Sequence, residues 1–232
     1  PLAGPRTAEA PTAGDWHANF DAWGQAHAGR SCNLVLSAWL LHELVLDHQL
    51  PLTDDTARLA YARNLLRHYH GEPAVHWPLA AWQAAGRHGV SALHATTLGA
   101  LQTSARRASV LLRSVRPWWS LALAVALQQA PRLARADQGR LLVVDGTLVT
   151  QVDLARGQLT QLQQRQMPEP TQAALRATLQ GQAEAFTCAL GHGMLDEPPA
   201  NDDSLRCLGS MRGRSPEALW CASEPANRSF GA

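Results

Sequence analysis

The chain has no lysine and no isoleucine: in 232 residues, all twenty basic side chains are arginine. That pattern, together with abundant Ala and Leu, is what GC-rich bacterial coding produces. Its chemical consequence is firm. A P-loop lysine, a Schiff-base lysine and a kinase-type lysine are all excluded, because each of those mechanisms needs the lysine amine. Four cysteines, Cys32, Cys188, Cys207 and Cys221, form no C-x-x-C pair. Their low density does not make a disulfide framework and points to a reducing compartment, the cytoplasm. The net charge is only +1, which gives no reason to expect nucleic acid or an anionic membrane as partner. The longest apolar run, SLALAVAL at 120–127, falls far short of the ~20 residues of a membrane span. No signal peptide is visible, and the length suits one large domain or two small lobes.

Residues 1–30 are rich in Pro, Gly and Ala and keep no steady period. A flexible arm is expected there, with Trp16, Phe20 and Trp23 spaced to dock a short helix. Next, CNLVLSAWLLHELVLD (32–47) has apolar runs on both sides of Ser37-Ala38, which predicts two strands joined by a tight turn. TDDTARLAYARNLLRHYHG (53–71) reads as a helix. Thr53 or Asp54 caps it, Arg67, His68 and His70 sit near its negative end, and Gly71 stops it. Leu59, Ala62, Leu66 and Tyr69 would form its buried stripe. Short strands at 74–80 and 89–95, a helix at 97–108 and a strand at 109–117 follow.

WWSLALAVALQQA (118–130) is apolar nearly all round and stops before Pro131, as a buried helix would. LLVVDGTLVTQVDLARGQL (141–159) turns at Asp145-Gly146-Thr147 and at Arg156-Gly157. It predicts three successive strands, 140–145, 147–154 and 158–165, with Leu148, Thr150, Val152 and Leu154 on one face. A helix is expected at 171–187. Residues 196–232 are polar and broken by Pro and Gly, and read as a mostly irregular tail. The order predicts an α/β fold of mixed sheets with packed helices in two lobes, 31–117 and 118–195, bridged by the helix that opens at Trp118.

Several phrases, taken in order, resemble the cytoplasmic actin-like domains of bacterial assembly machines, the GspL-type platform protein of type II secretion and the PilM-type protein of type IV pili. They are LVLSAWLLHELVL, DTARLAYARNLL, VLLRSVRPWWSLAL and LLVVDGTLVTQVDLARGQLTQLQQR. The resemblance implies a two-lobed actin-like (ribonuclease H-like) fold over roughly 31–195, with the assembly ATPase and inner-membrane platform subunits as partners. It also implies a cytoplasmic place, peripheral to the inner membrane. Because the secretion family continues into a membrane span, the chain is expected to be a soluble excerpt or to be held at the membrane by a partner.

Actin-like ATPases hold phosphates between two opposed loops in which glycines admit backbone N–H groups and carboxylates organise Mg²⁺. By resemblance, Asp145, Gly146, Thr147 and Thr150 would form the second loop, although Asp145 and Gly146 are adjacent where the family usually has a residue between them. The first loop would be Ser37, Ala38 and Trp39, with no carboxylate, no glycine and a bulky indole. The expectation is a vestigial nucleotide site and a non-catalytic scaffold. The competing reading is an active ATP-binding protein with Asp145 and Thr147 on the phosphate side. LGHGML (190–195) would be a remnant of the adenosine loop.

Other chemistry is less well supplied. Cys188 and His192 at i, i+4 would share a helical face and, with Cys207 and Cys221, could bind zinc, but the two later thiols stand alone. His68, His70, His76, His88 and His94 are plainly read as surface histidines. A ribonuclease H-like nuclease needs carboxylates clustered on the first strand; Glu43 and Asp47 lie on the returning one. Trp118 and Trp119 are candidates for partner docking, though packing between the lobes is the plainer reading. Arg58 and Arg67, on the polar side of the first long helix, would serve an acidic partner.

Overall fold

The short helix expected from Trp16, Phe20 and Trp23 is present within the first thirty residues. The computed structural model of the chain describes residues 16–93, 95–179, 185–196, 204–209, 211 and 218–222, with backbone alone at 16–19, 95–97 and 218–222. In it Trp16–Ala26 is a helix, α1, whose Phe20 is fully buried and whose Trp23 packs on Cys32, Ala108 and Val110. Two aromatics at i, i+3 give this Ala- and Gly-rich helix one apolar stripe to bury. Residues 1–15 of the expected arm lie outside the described residues.

After α1 come β1 (Ser31–Leu36), a 3-10 turn (Ala38–Leu40), β2 (Leu41–Val45), α2 (Asp55–His70), a second 3-10 turn (Glu72–His76), β3 (Leu79–Ala84), β4 (Arg87–Leu93) and α3 (Ala95–Arg107). Then follow β5 (Leu111–Pro117), α4 (Trp118–Gln129) and a one-turn helix α5 (Arg132–Arg135). The second half holds β6 (Gly139–Asp145), β7 (Leu148–Ala155), β8 (Gln158–Gln166), α6 (Gln172–Ala177), β9 (Phe186–His192), β10 (Arg206–Cys207) and β11 (Ala218–Ala222). The strands form three sheets, in the orders β11-β1-β5, β2-β4-β3 and β10-β9-β6-β7-β8.

The strands on either side of Ser37 exist, yet they do not pair with each other. Ser37 accepts a hydrogen bond from the Trp39 N–H and starts a 3-10 turn. That turn carries the chain out of one sheet, where β1 runs parallel to β5, into another, where β2 runs antiparallel to β4. Helix α2 forms as predicted: the Asp54 side chain accepts from the Ala57 N–H, and Gly71 ends the helix at φ +78°. Ala62 and Leu66 are buried, whereas Tyr69, expected on the same stripe, is 49 % exposed.

The larger differences lie after residue 170. The helix predicted at 171–187 ends at Ala177, and FTCALGH is a strand instead. β9 runs parallel to β6 in the middle of the five-stranded sheet. A short, largely apolar stretch fits a buried strand as well as a helix, and here the strand is what forms. The tail is not irregular throughout: Leu205 and Met211 are buried, β10 joins β9, and β11 pairs antiparallel with β1. The last described segment therefore closes a sheet that begins near residue 31.

The lobes share a core. Trp119, Ala122, Leu123 and Ala126 of α4 pack on Leu141, Val143, Val152, Leu154, Cys188 and Leu190, and Val45, Trp82, Ala84 and Ala85 join them from the first lobe. The β3–β4 turn, Ala85-Gly86 with both φ positive as a type I′ turn needs, rests on β8. There the Leu159 N–H donates to the Ala85 carbonyl at 2.8 Å, and Arg87 Nε donates to the Leu159 carbonyl at 3.0 Å. No helix among the described residues is long and apolar enough to cross a membrane.

Candidate functional site: two loops facing across the lobes

Pleating sends Leu141, Val143 and Asp145 of β6 to one face, with Thr150 and Val152 of β7 and Cys188, Leu190 and His192 of β9 on the same side. This is the face that meets α4 and the first lobe. Asp145 is the last residue of β6, directly before a two-residue hairpin turn with Gly146 at φ +60°. Glycine is the residue that reaches this conformation without strain. The turn is tied down on both sides: the Gly146 N–H donates to the His192 carbonyl at 3.1 Å, and the Met167 N–H donates to the Thr147 carbonyl at 2.7 Å.

Opposite it stands the 3-10 turn after β1. The Ser37 hydroxyl donates a hydrogen bond to Asp145 Oδ2 across 108 residues of sequence. Asp145 Oδ1 faces His192 Nδ1 at 3.7 Å, and the His192 ring stacks on Trp118 with centroids 5.7 Å apart. Asp145 is 2 % exposed. Burial holds the His192 imidazole below the usual histidine range, and the Asp145 carboxylate beside it opposes that shift in part. The same turn is held again by Gln164 of β8, whose Nε2 lies 3.4 Å from both the Ala38 and Leu41 carbonyls.

The expected phosphate loops thus face each other, and their own side chains fill the space between them. Asp145, Gly146 and Thr147 lie at the hairpin. Thr150 is the third residue of β7, buried on the face that carries Asp145. The residues do not fit a magnesium-bound triphosphate. One Asp145 oxygen is bonded to Ser37, the other faces a half-buried imidazole, and the opposing turn carries the Cβ atoms of Ala38 and Trp39 where close approach to phosphate calls for glycine.

The remaining candidates separate. Trp119 is 2 % exposed and meets Trp82 edge to face at 5.1 Å, and Trp118 is half-buried on His192. Both indoles pack at the seam, Trp119 buried and Trp118 partly exposed. Arg58 pairs with Asp55 at 2.8 Å and Arg67 with Glu72, all within the first lobe. LGHGML runs from the end of β9 into the residues beyond it, with Gly191 against the Val144 backbone and Met194 buried.

The zinc reading loses its premise, since 188–192 is a strand. Cys188 packs toward α4 and Cys207 toward the opposite face, and burial pushes the Cys188 thiol up to about 11. Cys221 is described by its backbone only, and His94 lies outside the described residues. Among the described residues no group of three or more His, Cys, Asp or Glu is placed to hold a metal. His70 instead packs on His42 and Trp77, at 4.6 and 5.2 Å.

Glu43, named in the sequence only as a possible nuclease carboxylate, has a different place. It accepts from Trp82 Nε1 at 3.0 Å and from the Ser91 hydroxyl at 2.8–2.9 Å. The residue is half-buried, but its carboxyl group is enclosed, and desolvation pushes it from 4.5 up to about 7 against the pull of Ser91 and of the Trp119 and Trp82 indoles. Asp47 is exposed and accepts from the Gln49 N–H. With Asp145 engaged by Ser37, these carboxylates do not form a metal pair. The Glu43–Trp82–Ser91 group leaves no mark in the sequence, because its members lie on three strands that only the sheet brings together.

No protein-family model matches the sequence, and no curated protein is similar to it. Solved structures are similar in fold. The cytoplasmic domain of EpsL, an inner-membrane component of the type II secretion system of Vibrio cholerae, superposes with a TM-score of 0.50 at 16 % identity, covering 86 % of this chain and 75 % of that one. A Bacteroides thetaiotaomicron protein of unknown function with an actin-like ATPase fold gives a TM-score of 0.50 at 10 % identity, over 81 % and 71 %. A PilM–PilN type IV pilus biogenesis complex gives 0.48 at 14 % identity over 69 % of this chain, which spans only 53 % of that one. The chain has the actin-like fold, the two-lobed mixed-sheet architecture of the EpsL cytoplasmic domain.

Proposed function

We propose that the chain is a non-catalytic actin-like scaffold of an inner-membrane assembly platform, of type II secretion or type IV pili, and that it works by binding other proteins. The observation that carries the reading is the hydrogen bond from Ser37 to Asp145, which occupies the place between the two loops where an actin-like ATPase would hold phosphate. A lobe seam filled by Trp82, Trp118, Trp119 and His192 supports it, because opening that seam for a nucleotide would expose buried apolar surface. In this reading the partners are the assembly ATPase and the other platform subunits, and the chain acts at the cytoplasmic side of the inner membrane. The likeness to the EpsL cytoplasmic domain supports that setting through the shared fold.

The competing reading, an active ATP-binding protein, requires Ser37 to leave Asp145 and the seam to part. Calorimetry with Mg-ATP separates the two. The scaffold reading expects no saturable heat up to millimolar nucleotide, for the chain and for Asp145→Ala alike; micromolar binding that Asp145→Ala weakens would establish the ATP reading instead. Ser37→Ala is expected to lower stability by about 1–2 kcal/mol in urea unfolding, since it leaves a buried carboxylate short of one donor. A change within about 0.3 kcal/mol would show that the contact does not hold the loops together.

A further inference from the structure

β5 packs Leu112 and Val115 on the core around Leu34 and Leu36, and its outer edge joins no strand among the described residues. β5 is the last strand of its sheet, and among the described residues β1 is its only strand partner. Its side chains are exposed or half-buried along its whole length, whereas those of β1 are mostly buried. Leu111 is 55 % exposed. A strand edge of this kind is a template for another strand.

Charge limits what can pair there. Arg113 and Arg116 of β5 are exposed. Exposed Arg30 precedes β1, with its carbonyl accepting from the Leu111 N–H at 2.9 Å, and exposed Arg106 and Arg107 end α3 just before β5. Of these five, Arg107 is the one ion-paired among the described residues, with Asp21 at 3.1 Å. The sequence supplies the reason: from Pro73 to Ala136 there are seven arginines and no carboxylate.

A second copy of the chain would set Arg113 and Arg116 against like charges, which disfavours pairing. The register shift between β1 and β5, which leaves Arg113 as the extra residue, and Pro117 at the strand end act on any added strand alike, so charge is what separates the candidates. A nucleic acid would find the arginines but leave the strand's amides and carbonyls without strand partners. An extended peptide with carboxylates alternating with apolar residues satisfies both the edge and the charge.

We propose that the outer edge of β5, framed by Arg30, Arg106, Arg113 and Arg116, is a docking edge for an extended acidic segment of a partner protein, which adds as a strand beside β5. The inference rests on the reading that this chain works by binding proteins, and it gives one partner a chemistry.

The test uses the 232-residue chain and labelled peptides of about eight residues, followed by fluorescence anisotropy. The probes are alternating Glu-Val, alternating Lys-Val, Glu-Val methylated at alternate backbone nitrogens, and an oligothymidylate. Binding is expected for the unmethylated Glu-Val peptide and for none of the others. R113E/R116E should weaken that binding by at least about tenfold. The proposal falls if Glu-Val fails to bind at millimolar concentration, if the methylated peptide binds equally well, or if the oligothymidylate binds as tightly. The peptide series reads the edge without any variant having to fold. Its failure would leave the Mg-ATP titration, and so the scaffold reading, to be judged separately.

Discussion

Gly191→Ala is expected to destroy the folded state or to destabilise it by more than about 4 kcal/mol. Two independent causes combine at this residue. Its φ is +144°, a region that side chains rarely enter, and a Cβ there would sit 2.1 Å from the Val144 carbonyl oxygen and 2.7 Å from the Val144 nitrogen. Those neighbours are backbone of the central strand of a five-stranded sheet, so they cannot turn aside as a side-chain end would. Relief would require β9 to move off β6. His192, the next residue, would then lose its position beside Asp145 and the carbonyl that holds the Gly146 N–H. Gly146→Ala is the control. It too has positive φ, +60°, but no atom lies within 4 Å of its Cβ position, so only backbone strain of about 1 kcal/mol is expected. Urea unfolding followed by circular dichroism distinguishes the two variants. A Gly191→Ala protein that unfolds within about 1 kcal/mol of the parent would mean that β9 and β6 are not joined as described here.

The contrast between these glycines shows what the sequence could convey. Gly146 was conspicuous because Asp-Gly-Thr ends an apolar strand, a pattern that both a hairpin and a phosphate loop produce. Gly191 falls in LGHGML, which suggests an adenosine-side loop by resemblance or a helical turn by the Cys188–His192 spacing, and FTCALGH has no alternation to mark a strand. A strand buried on both faces shows no period, and its partner in the sheet lies 47 residues away in sequence. The helix from Asp55 and the three-strand meander from Gly139 were legible, since amphipathic spacing, caps and turn glycines are local signals. The separation of β1 from β2 was not, because which sheet a strand joins depends on partners at residues 111–117 and 87–93. The site was half legible. Its two loops could be named from resemblance, and the poverty of Ser37-Ala38-Trp39 in phosphate ligands was plain. The closing of Ser37 onto Asp145 needed the lobes to be set face to face.

Glu43→Gln is expected to make the protein more stable than its parent at pH 8 and to lose that advantage near pH 4. In the folded state the Glu43 carboxyl lies at about 7, raised from 4.5 by burial among Trp82, Ser91 and Trp119. A raised value means that the folded state holds a proton which the unfolded chain has released. The stabilising contribution is therefore complete below 4.5 and is lost as pH climbs toward and through 7, for a total of about 3 kcal/mol. Glutamine keeps the shape and can still accept from Ser91 or Trp82, yet it carries no charge at any pH. The difference between variant and parent isolates this slope, because other groups titrate alike in both. His192 is the main group expected to slope the other way: its lowered value makes the fold lose stability as pH falls below about 6.5, in parent and variant equally. Urea midpoints at pH 4, 6 and 8 should show the variant's advantage growing with pH, to a gap on the order of 1 M. A constant difference across that range would place the Glu43 carboxylate in water and remove the ionisable group from the seam between the lobes.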